Sequence, residues 1–300
     1  MFAVTILGNN SAIPAYNRHP TAQVVTIEDS QILIDCGEGT QMQLSKYKVR
    51  RSKINYILIS HLHGDHYFGL IGLLTSMALM GRTQDLFLYA PPELKKIIDL
   101  QLEVANTQLP YTIHFVALTH AGLLTENKKF SISCFEVDHR IPCWGFIIKE
   151  NKQQRKLNAD AVKQYEIPAA FYKNLKNGED YITKNNERIK NEWVTIAAPA
   201  AKIYAYCADT IYKPDIVPYI EGADLLYHET TYLKEFTDKA AFRHHSTTEQ
   251  AALIAKQANA KKLLIGHFSS RYEDVTPFEK ETKEVFVATQ LALEGTTYLV

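Results

Sequence analysis

The feature that most constrains this chain is a six-residue turn, His61-Leu62-His63-Gly64-Asp65-His66. Before it runs Ile54-Asn55-Tyr56-Ile57-Leu58-Ile59-Ser60, a β-branched apolar stretch that reads as a buried strand, and after it a helix-like segment extends to Met80. Four metal-capable side chains therefore sit in one strand-to-helix turn. Imidazole and carboxylate suit zinc and its first-row neighbours, and a turn anchored by a strand lets alternate residues aim at one point. A polar loop of surface histidines is the competing reading, and three His and one Asp within six residues need a common cause.

A single turn cannot complete such a site, so other strand tips must contribute. Phe2 to Leu7, Ala22 to Ile27 and Gln31 to Gly37 read as strands opening a sheet. Asp35 stands at the end of the third, either as a cap for a helix starting near Thr40 or as the partner of a nearby histidine. Asp85 to Tyr89, Tyr111 to Leu118 and Phe130 to Val137 are strand-like, and a helix starts at Glu93 after Pro91-Pro92. Phe130 to Val137 ends in Asp138-His139, Lys202 to Cys207 in Ala208-Asp209-Thr210, and Ala223 to Tyr227 in His228-Glu229-Thr230. Lys262 to Ile265 leads to Gly266-His267. His244-His245-Ser246-Thr247-Thr248-Glu249 opens a helix running to Ala258, with Ser or Thr capping, and a last helix covers roughly Pro277 to Thr289.

Side chains at the carboxyl ends of neighbouring strands converge on one edge of a sheet. His61, His63, Asp65, His66, His139, Asp209 and His267 collect there. Seven ligands exceed one tetrahedral zinc and suit two metals sharing a bridging carboxylate and a bridging water. Two metals about 3.5–4 Å apart polarise a phosphoryl oxygen and bring the pKa of water toward about 7. The chemistry implied is hydrolysis.

Between Lys149 and Glu192 the texture changes, with ten Lys or Arg against seven Asp or Glu and few β-branched runs. Such a stretch between core strands is too long for an ordinary connection, which leaves a functional protrusion or a disordered insertion. Over the whole chain 33 Lys and Arg balance 33 Asp and Glu, so a charged partner must be read by a local patch. Cys36, Cys134, Cys143 and Cys207 lie in or beside apolar runs without CxxC spacing, as reduced core thiols do. The first residues lack the basic flank and length of a signal segment and no apolar run reaches membrane-spanning length, so a cytoplasmic protein without membrane contact is expected.

The set His61-x-His63-x-Asp65-His66, His139, Asp209 and His267, in that order, resembles the metallo-β-lactamase superfamily. That resemblance implies an α/β fold, an αββα sandwich of two mixed sheets flanked by helices, over residues 1–300. Gly37-Glu38-Gly39-Thr40-Gln41, Ala208-Asp209-Thr210, His228-Glu229-Thr230-Thr231, His245-Ser246-Thr247 and His267-Phe268-Ser269-Ser270-Arg271 together resemble the short form of the tRNase Z family of tRNA 3′-processing endoribonucleases. By this resemblance His61, His63 and His139 hold one zinc, Asp65, His66 and His267 hold the other, and Asp209 bridges. Asp65 also orients the attacking hydroxide. Glu229 and His245 match a proton relay to the leaving group, a role that a carboxylate beside an imidazole suits.

The implied reaction is cleavage of the 3′ trailer from precursor tRNA near the discriminator nucleotide, leaving a tRNA 3′-hydroxyl and a 5′-phosphate on the trailer. Ser269, Ser270 and Arg271, with Arg18, are the expected phosphate and substrate contacts. The insertion 149–192 falls where the family carries a flexible tRNA-binding arm that works from the partner subunit of a homodimer. Mn2+ or Fe2+ could replace Zn2+ in such a donor set. The early loop departs from the family's Pro-x-Lys-x-Arg-Asn pattern, keeping Arg18 and placing Tyr16 at the lysine position. The alternative reading is another hydrolase of this superfamily, acting on a small phosphodiester, thioester or sulfate ester.

Overall fold

The computed structural model describes residues 1–151 and 154–300. It divides into two compact units, Met1–Lys149 with Lys202–Val300, and Glu150–Ala201. The larger holds two seven-stranded mixed sheets built from β1 (Phe2–Gly8), β2 (Ala22–Ile27), β3 (Ser30–Ile34), β4 (Ile54–Leu58), β5 (Leu86–Ala90), β6 (Ile113–Ala117), β7 (Gly122–Glu126), β8 (Phe130–Val137), β9 (Cys143–Glu150), β10 (Ile203–Cys207), β11 (Leu225–Glu229), β12 (Leu263–Gly266), β13 (Thr289–Leu291) and β14 (Thr297–Leu299). The first sheet runs β14-β1-β2-β3-β4-β5-β6 and the second β13-β12-β11-β10-β9-β8-β7. In the first, β14, β1, β2 and β3 pair antiparallel and β3 to β6 pair parallel. In the second, β10, β11, β12 and β13 pair parallel.

Period-two alternation decides what each strand face buries. In the first sheet Val4, Ile6, Val25, Ile27, Ile32 and Ile34 join Phe130, Phe146, Tyr204 and Tyr206 of the second in one core. The alternate residues Leu7, Val24, Leu33 and Ile57 meet α1 (Thr40–Lys46) and α3 (Leu70–Leu79) on the outer face, through Leu44, Leu70, Leu73 and Met77. Ala252, Ile254 and Ala255 of the helix Thr248–Gln257 cover the second sheet. The result is helix, sheet, sheet, helix. Among the described residues no helix is long and apolar enough to cross a membrane.

Three local expectations need correction. β7 has no counterpart in the sequence reading, because Gly122–Glu126 is largely exposed and lacks a clean apolar alternation. The last helix is Thr276–Lys283, shorter than expected, and Thr289 belongs to β13 at a sheet edge. β14, at the edge of the first sheet, also has no counterpart in the sequence reading, whereas the helix after His245 is capped by a threonine as expected, Thr247, with Gln250 completing the capping box.

The unit Glu150–Ala201 folds around its own small core of Val162, Ile167, Leu175, Ile189 and Val194. Two short ladders close it, Lys156–Leu157 with Thr195–Ile196 and Tyr181–Ile182 with Arg188–Ile189. Asn158 caps the helix Ala159–Gln164. Asn191 donates to the carbonyls of Leu175 (2.8 Å) and Glu179 (2.9 Å), and Asp180 accepts from the Asn191 amide at 2.7 Å and from Arg188. Side-chain to backbone bonds thus fix loops that five apolar residues could not hold alone.

Candidate metal centre and active site

The parallel order of β3 to β5 and of β10 to β12 sends the loops after each strand to one edge of its sheet. After β4 come His61 and His63, then Asp65 and His66 in α2 (Gly64–Tyr67). That turn lies tightly on the loop after β3, because a Cβ on Gly69 would meet the Gly37 carbonyl oxygen at 2.2 Å. His139 follows β8, Asp209 follows β10, Glu229 ends β11 and His267 follows β12. All seven candidate ligands come together. Candidate donor atoms of His61, His63, His139 and Asp209 lie within 4.8 Å of one another, as do those of Asp65, His66 and His267.

Asp209 stands between the two groups. Its Oδ2 is 3.7 Å from His61 Nε2 and 3.5 Å from His66 Nε2, and its Oδ1 is 3.3 Å from His267 Nε2. Asp65 Oδ2 accepts from the Ala12 amide at 2.7 Å and is 3.6 Å from His66 Nε2 and 3.5 Å from His267 Nε2.

Each buried imidazole is held from behind. His66 Nδ1 donates to Asp35 at 2.8 Å, His139 Nδ1 to the His244 carbonyl at 2.7 Å, and His267 Nδ1 to Thr231 Oγ1 at 2.9 Å. His61 Nδ1 donates to Ser60 Oγ at 3.0 Å, and that hydroxyl passes its own proton to Asp35 at 2.9 Å. Engaging Nδ1 fixes the tautomer and leaves the Nε2 lone pair for the centre. His63 is turned the other way, with Nδ1 3.0 Å from His61 Nε2 and 3.1 Å from His139 Nε2. Nitrogens this close, with the opposite edges of His61, His66, His139 and His267 committed, form a donor set.

Electrostatics agree with that. Burial holds His61 well below the ordinary imidazole range, lowers His63 and brings His139 down to about 4, so these rings are neutral at pH 7. Burial would raise the carboxyls of Asp65 and Asp209, yet the facing imidazoles His66 and His267 hold both well below the usual range. Neutral His61, His63 and His139 beside ionised carboxylates are the protonation states that metal ligation requires, whereas Asp209, Asp65 and Asp35 overcome the burial of His66 and raise it well above its ordinary value, so that His66 must give up a proton when it ligates.

Asp35 is the partner of His66 and not a helix cap. The N-cap of α1 is Gly39, with no side-chain bond, whereas Asp35 also accepts from the Ser60 amide and Tyr206 Oη. Asp35 and His267 both take left-handed backbone angles, φ 56 and φ 62, which cost about 1–2 kcal/mol in residues other than glycine. Their hydrogen bonds hold them there.

Glu229 and His245 meet beside this centre. His245 Nδ1 lies 3.0 Å from Glu229 Oε1, and the carboxylate also accepts from the amides of Thr210, Thr231 and Ser246 and from Thr231 Oγ1. Burial disfavours charge on His245, but Glu229 overrides it and raises the imidazole above its ordinary value. A cleft of about 410 Å3 reaches His63, Asp65, Asp209 and His245 and is also lined by Phe68 and Arg140. Arg140 escaped the sequence reading, although it directly follows His139.

Ser269, Ser270, Arg271 and Arg18 do not line that cleft. The Arg18 guanidinium donates to Asn10 Oδ1 and to the carbonyls of Tyr272 and Glu273, so it ties the early loop to the 272–273 segment. Arg271 lies over the Phe236 ring at 4.6 Å, and Ser269 Oγ accepts from the Arg271 amide at 3.3 Å.

A family model described as Anti-Pycsar protein Apyc1 matches residues 2–183. A ribonuclease Z of Parabacteroides distasonis is 40% identical over 296 residues, covering 98% of this chain and 97% of its own length. Another, of Porphyromonas gingivalis, is 41% identical over 295 residues, 98% of this chain and 97% of its own. The chain belongs to the ribonuclease Z family and, over residues 2–183, to the family described as Anti-Pycsar protein Apyc1. That family model ends before Asp209, Glu229, His245 and His267, whereas the ribonuclease Z relatives extend over nearly the whole chain.

The solved structure of human tRNase Z, short form, matches with a TM-score of 0.71 at 27% identity over 98% of each chain. The metallo-β-lactamase fold protein YhfI of Bacillus subtilis matches in fold, with a TM-score of 0.70 at 20% identity over 99% of this chain and 98% of its own. The sandwich of this ribonuclease Z chain is thus the metallo-β-lactamase fold, and its clustered His and Asp groups suit divalent metal ions.

Proposed function

We propose that this chain is a metal-dependent endoribonuclease that removes the 3′ trailer from precursor tRNA near the discriminator nucleotide, leaving a tRNA 3′-hydroxyl and a 5′-phosphate on the trailer. The observation that carries the reading is the pair of donor groups meeting at Asp209 with the Glu229–His245 couple beside them. The ribonuclease Z relatives and the human tRNase Z structure support the substrate.

In this reading His61, His63 and His139 hold one Zn2+, Asp65, His66 and His267 hold a second, and Asp209 is shared. Mn2+ or Fe2+ suits the same donors. Bound there, divalent ions supply Lewis-acid polarisation of the phosphoryl group and make water a competent nucleophile near neutral pH. The chain's own groups do the rest. Asp65, kept ionised and fixed by the Ala12 amide, orients the attacking hydroxide. His245, kept protonated by Glu229, gives a proton to the departing ribose oxygen, and Glu229 stays in place through its four other donors. Arg140 at the cleft wall meets the anionic phosphodiester. The insertion, within residues 149–192, is the arm that binds tRNA away from the scissile bond, and the working enzyme is a homodimer.

The test is to map the cut on one trailer-bearing tRNA while measuring the metal content of the same preparation. His66→Ala is expected to abolish cleavage. Full activity in metal-free buffer, or turnover of small esters with no cut in the tRNA, would overturn the reading.

A further inference from the structure

The charge balance of the whole chain hides a local imbalance. Between Gly39 and Gln84 there are six cations, Lys46, Lys48, Arg50, Arg51, Lys53 and Arg82, and a single acid, Asp65, which belongs to the metal centre. Four of the six line one cleft of about 720 Å3 on the larger unit, formed by the end of α1, the segment after it and the end of α3, and no carboxylate lines it.

The four cations differ in how they are used. Arg82 donates to the carbonyls of Ile54 (2.9 Å), Gln84 (2.8 Å) and Asp85 (2.8 Å), and Arg51 to the carbonyl of Gln41 (3.1 Å) and to Ser45 Oγ. Their charge remains, but their donors hold the walls together. Lys48 and Arg50 are exposed, and among the described residues neither side chain has a hydrogen bond or ion pair. Lys48 sits just past α1 at φ 57, with its amide donating to Ser45 and that of Val49 to Leu44. This is the helix-end position that glycine or asparagine favours, so a lysine there is held in a conformation its side chain disfavours. Two unpaired cations over two fixed ones, with no acid to neutralise them, form a place for phosphate.

The cleft is separate from the catalytic one but related to it. α1 begins beside Gly37, whose loop packs on the metal-binding turn, and its seven residues run about 10 Å before the basic segment begins. A polymer held at the catalytic cleft can reach both places, and a small diester cannot.

We propose that this cleft binds backbone phosphates of precursor tRNA remote from the scissile bond, an inference that rests on the reading given under Proposed function. Lys48 and Arg50 make the contacts, and Arg51 and Arg82 supply fixed positive potential behind them. Each phosphate contact contributes roughly 0.7–0.9 to the log–log slope of RNA binding against salt.

The experiment compares wild-type enzyme with Lys48→Gln/Arg50→Gln on trailer-bearing tRNA across a salt series, and on bis(p-nitrophenyl) phosphate. The double variant is expected to raise KM for the tRNA, to reduce its salt dependence by about 1.4–1.8 log units per log unit of salt, and to leave kcat and diester turnover unchanged. Lys48→Arg/Arg50→Lys retains both charges and is expected to behave as wild type. Unaltered KM and salt slope in the Gln variant, with wild type cutting the tRNA, would overturn the cleft and leave the nuclease reading intact. An equal loss in the charge-retaining variant would also overturn it, as an effect of shape. Wild-type enzyme that turns over the diester but leaves the tRNA whole would overturn both.

Discussion

Replacing Asp35 by Asn tests how the metal centre is built. Asp35 is fully buried and accepts four hydrogen bonds: from the Ser60 amide (2.8 Å), Ser60 Oγ (2.9 Å), His66 Nδ1 (2.8 Å) and Tyr206 Oη (2.7 Å). Three of these converge on Oδ2. An asparagine must keep its carbonyl oxygen there, which turns its amide nitrogen toward the Ser60 N–H. That clash leaves a buried donor unpaired, at about 1–3 kcal/mol, and the bond from His66 loses its charge assistance, at about another 1 kcal/mol.

Stability should fall by the sum, about 2–4 kcal/mol, and the centre should suffer separately because His66 is less firmly aimed. Removing the partner of a ligating histidine costs about 10–100-fold in metal affinity, or about 1.4–2.8 kcal/mol. The assay is a competition between Asp35→Asn enzyme and a chromophoric chelator, read beside precursor tRNA cleavage as free Zn2+ is raised. Activity should be low at limiting zinc and recover as zinc is added. Unchanged affinity would mean that the Asp35–His66 bond does not orient the ligand, and activity that no amount of zinc restores would mean that the damage lies elsewhere.

Other outcomes follow from the same geometry. Glu229→Gln and His245→Ala should each lower cleavage of tRNA by about 10²–10⁴-fold and the double variant little further, as expected for two parts of one device, while a p-nitrophenyl diester, whose leaving group needs no proton, is spared. Chelation should abolish turnover of both substrates, and readdition of Zn2+ should restore both; survival of diester turnover in chelator would show that the ions serve only tRNA binding. Excising the unit Glu150–Ala201 and joining its ends should raise KM for tRNA and leave diester kcat/KM unchanged, with equal loss of both pointing to a structural role. The Asp180 carboxyl is held below its ordinary value, first by the Asn191 amide and then by Arg188. Its contribution is therefore present above about pH 4 and lost as pH falls through the lowered value, so limited proteolysis within the insertion should accelerate on acidification, and less steeply in Asp180→Asn.

The grouping of the candidate metal ligands was legible in the sequence because they stand at strand tips, where an apolar run stops at a His or Asp. The two-sheet layering was legible for a similar reason, since buried parallel strands such as β4 and β10 are continuous apolar runs. What supports the ligands was harder to read. Asp35 meets His66 across 31 positions and Tyr206 across 171, and no local pattern announces such a pairing. Thr231, which joins Glu229 to His267, looks in sequence like any strand-end threonine. β7, β13 and β14 were missed because exposed or edge strands gain little from alternation, and the insertion gave no sign of its compact core because five buried apolar side chains, spread over 33 residues, build it.

The donors come from both sheets, and this bears on when the molecule can become active. His61, His63, Asp65 and His66 follow β4, whereas His139, Asp209 and His267 follow strands of the second sheet, the last of them near the end of the chain. A nascent chain that has emerged only through β9 carries five of the seven donors and neither Asp209 nor His267. In the proposed two-metal reading, cutting therefore requires that both layers have closed.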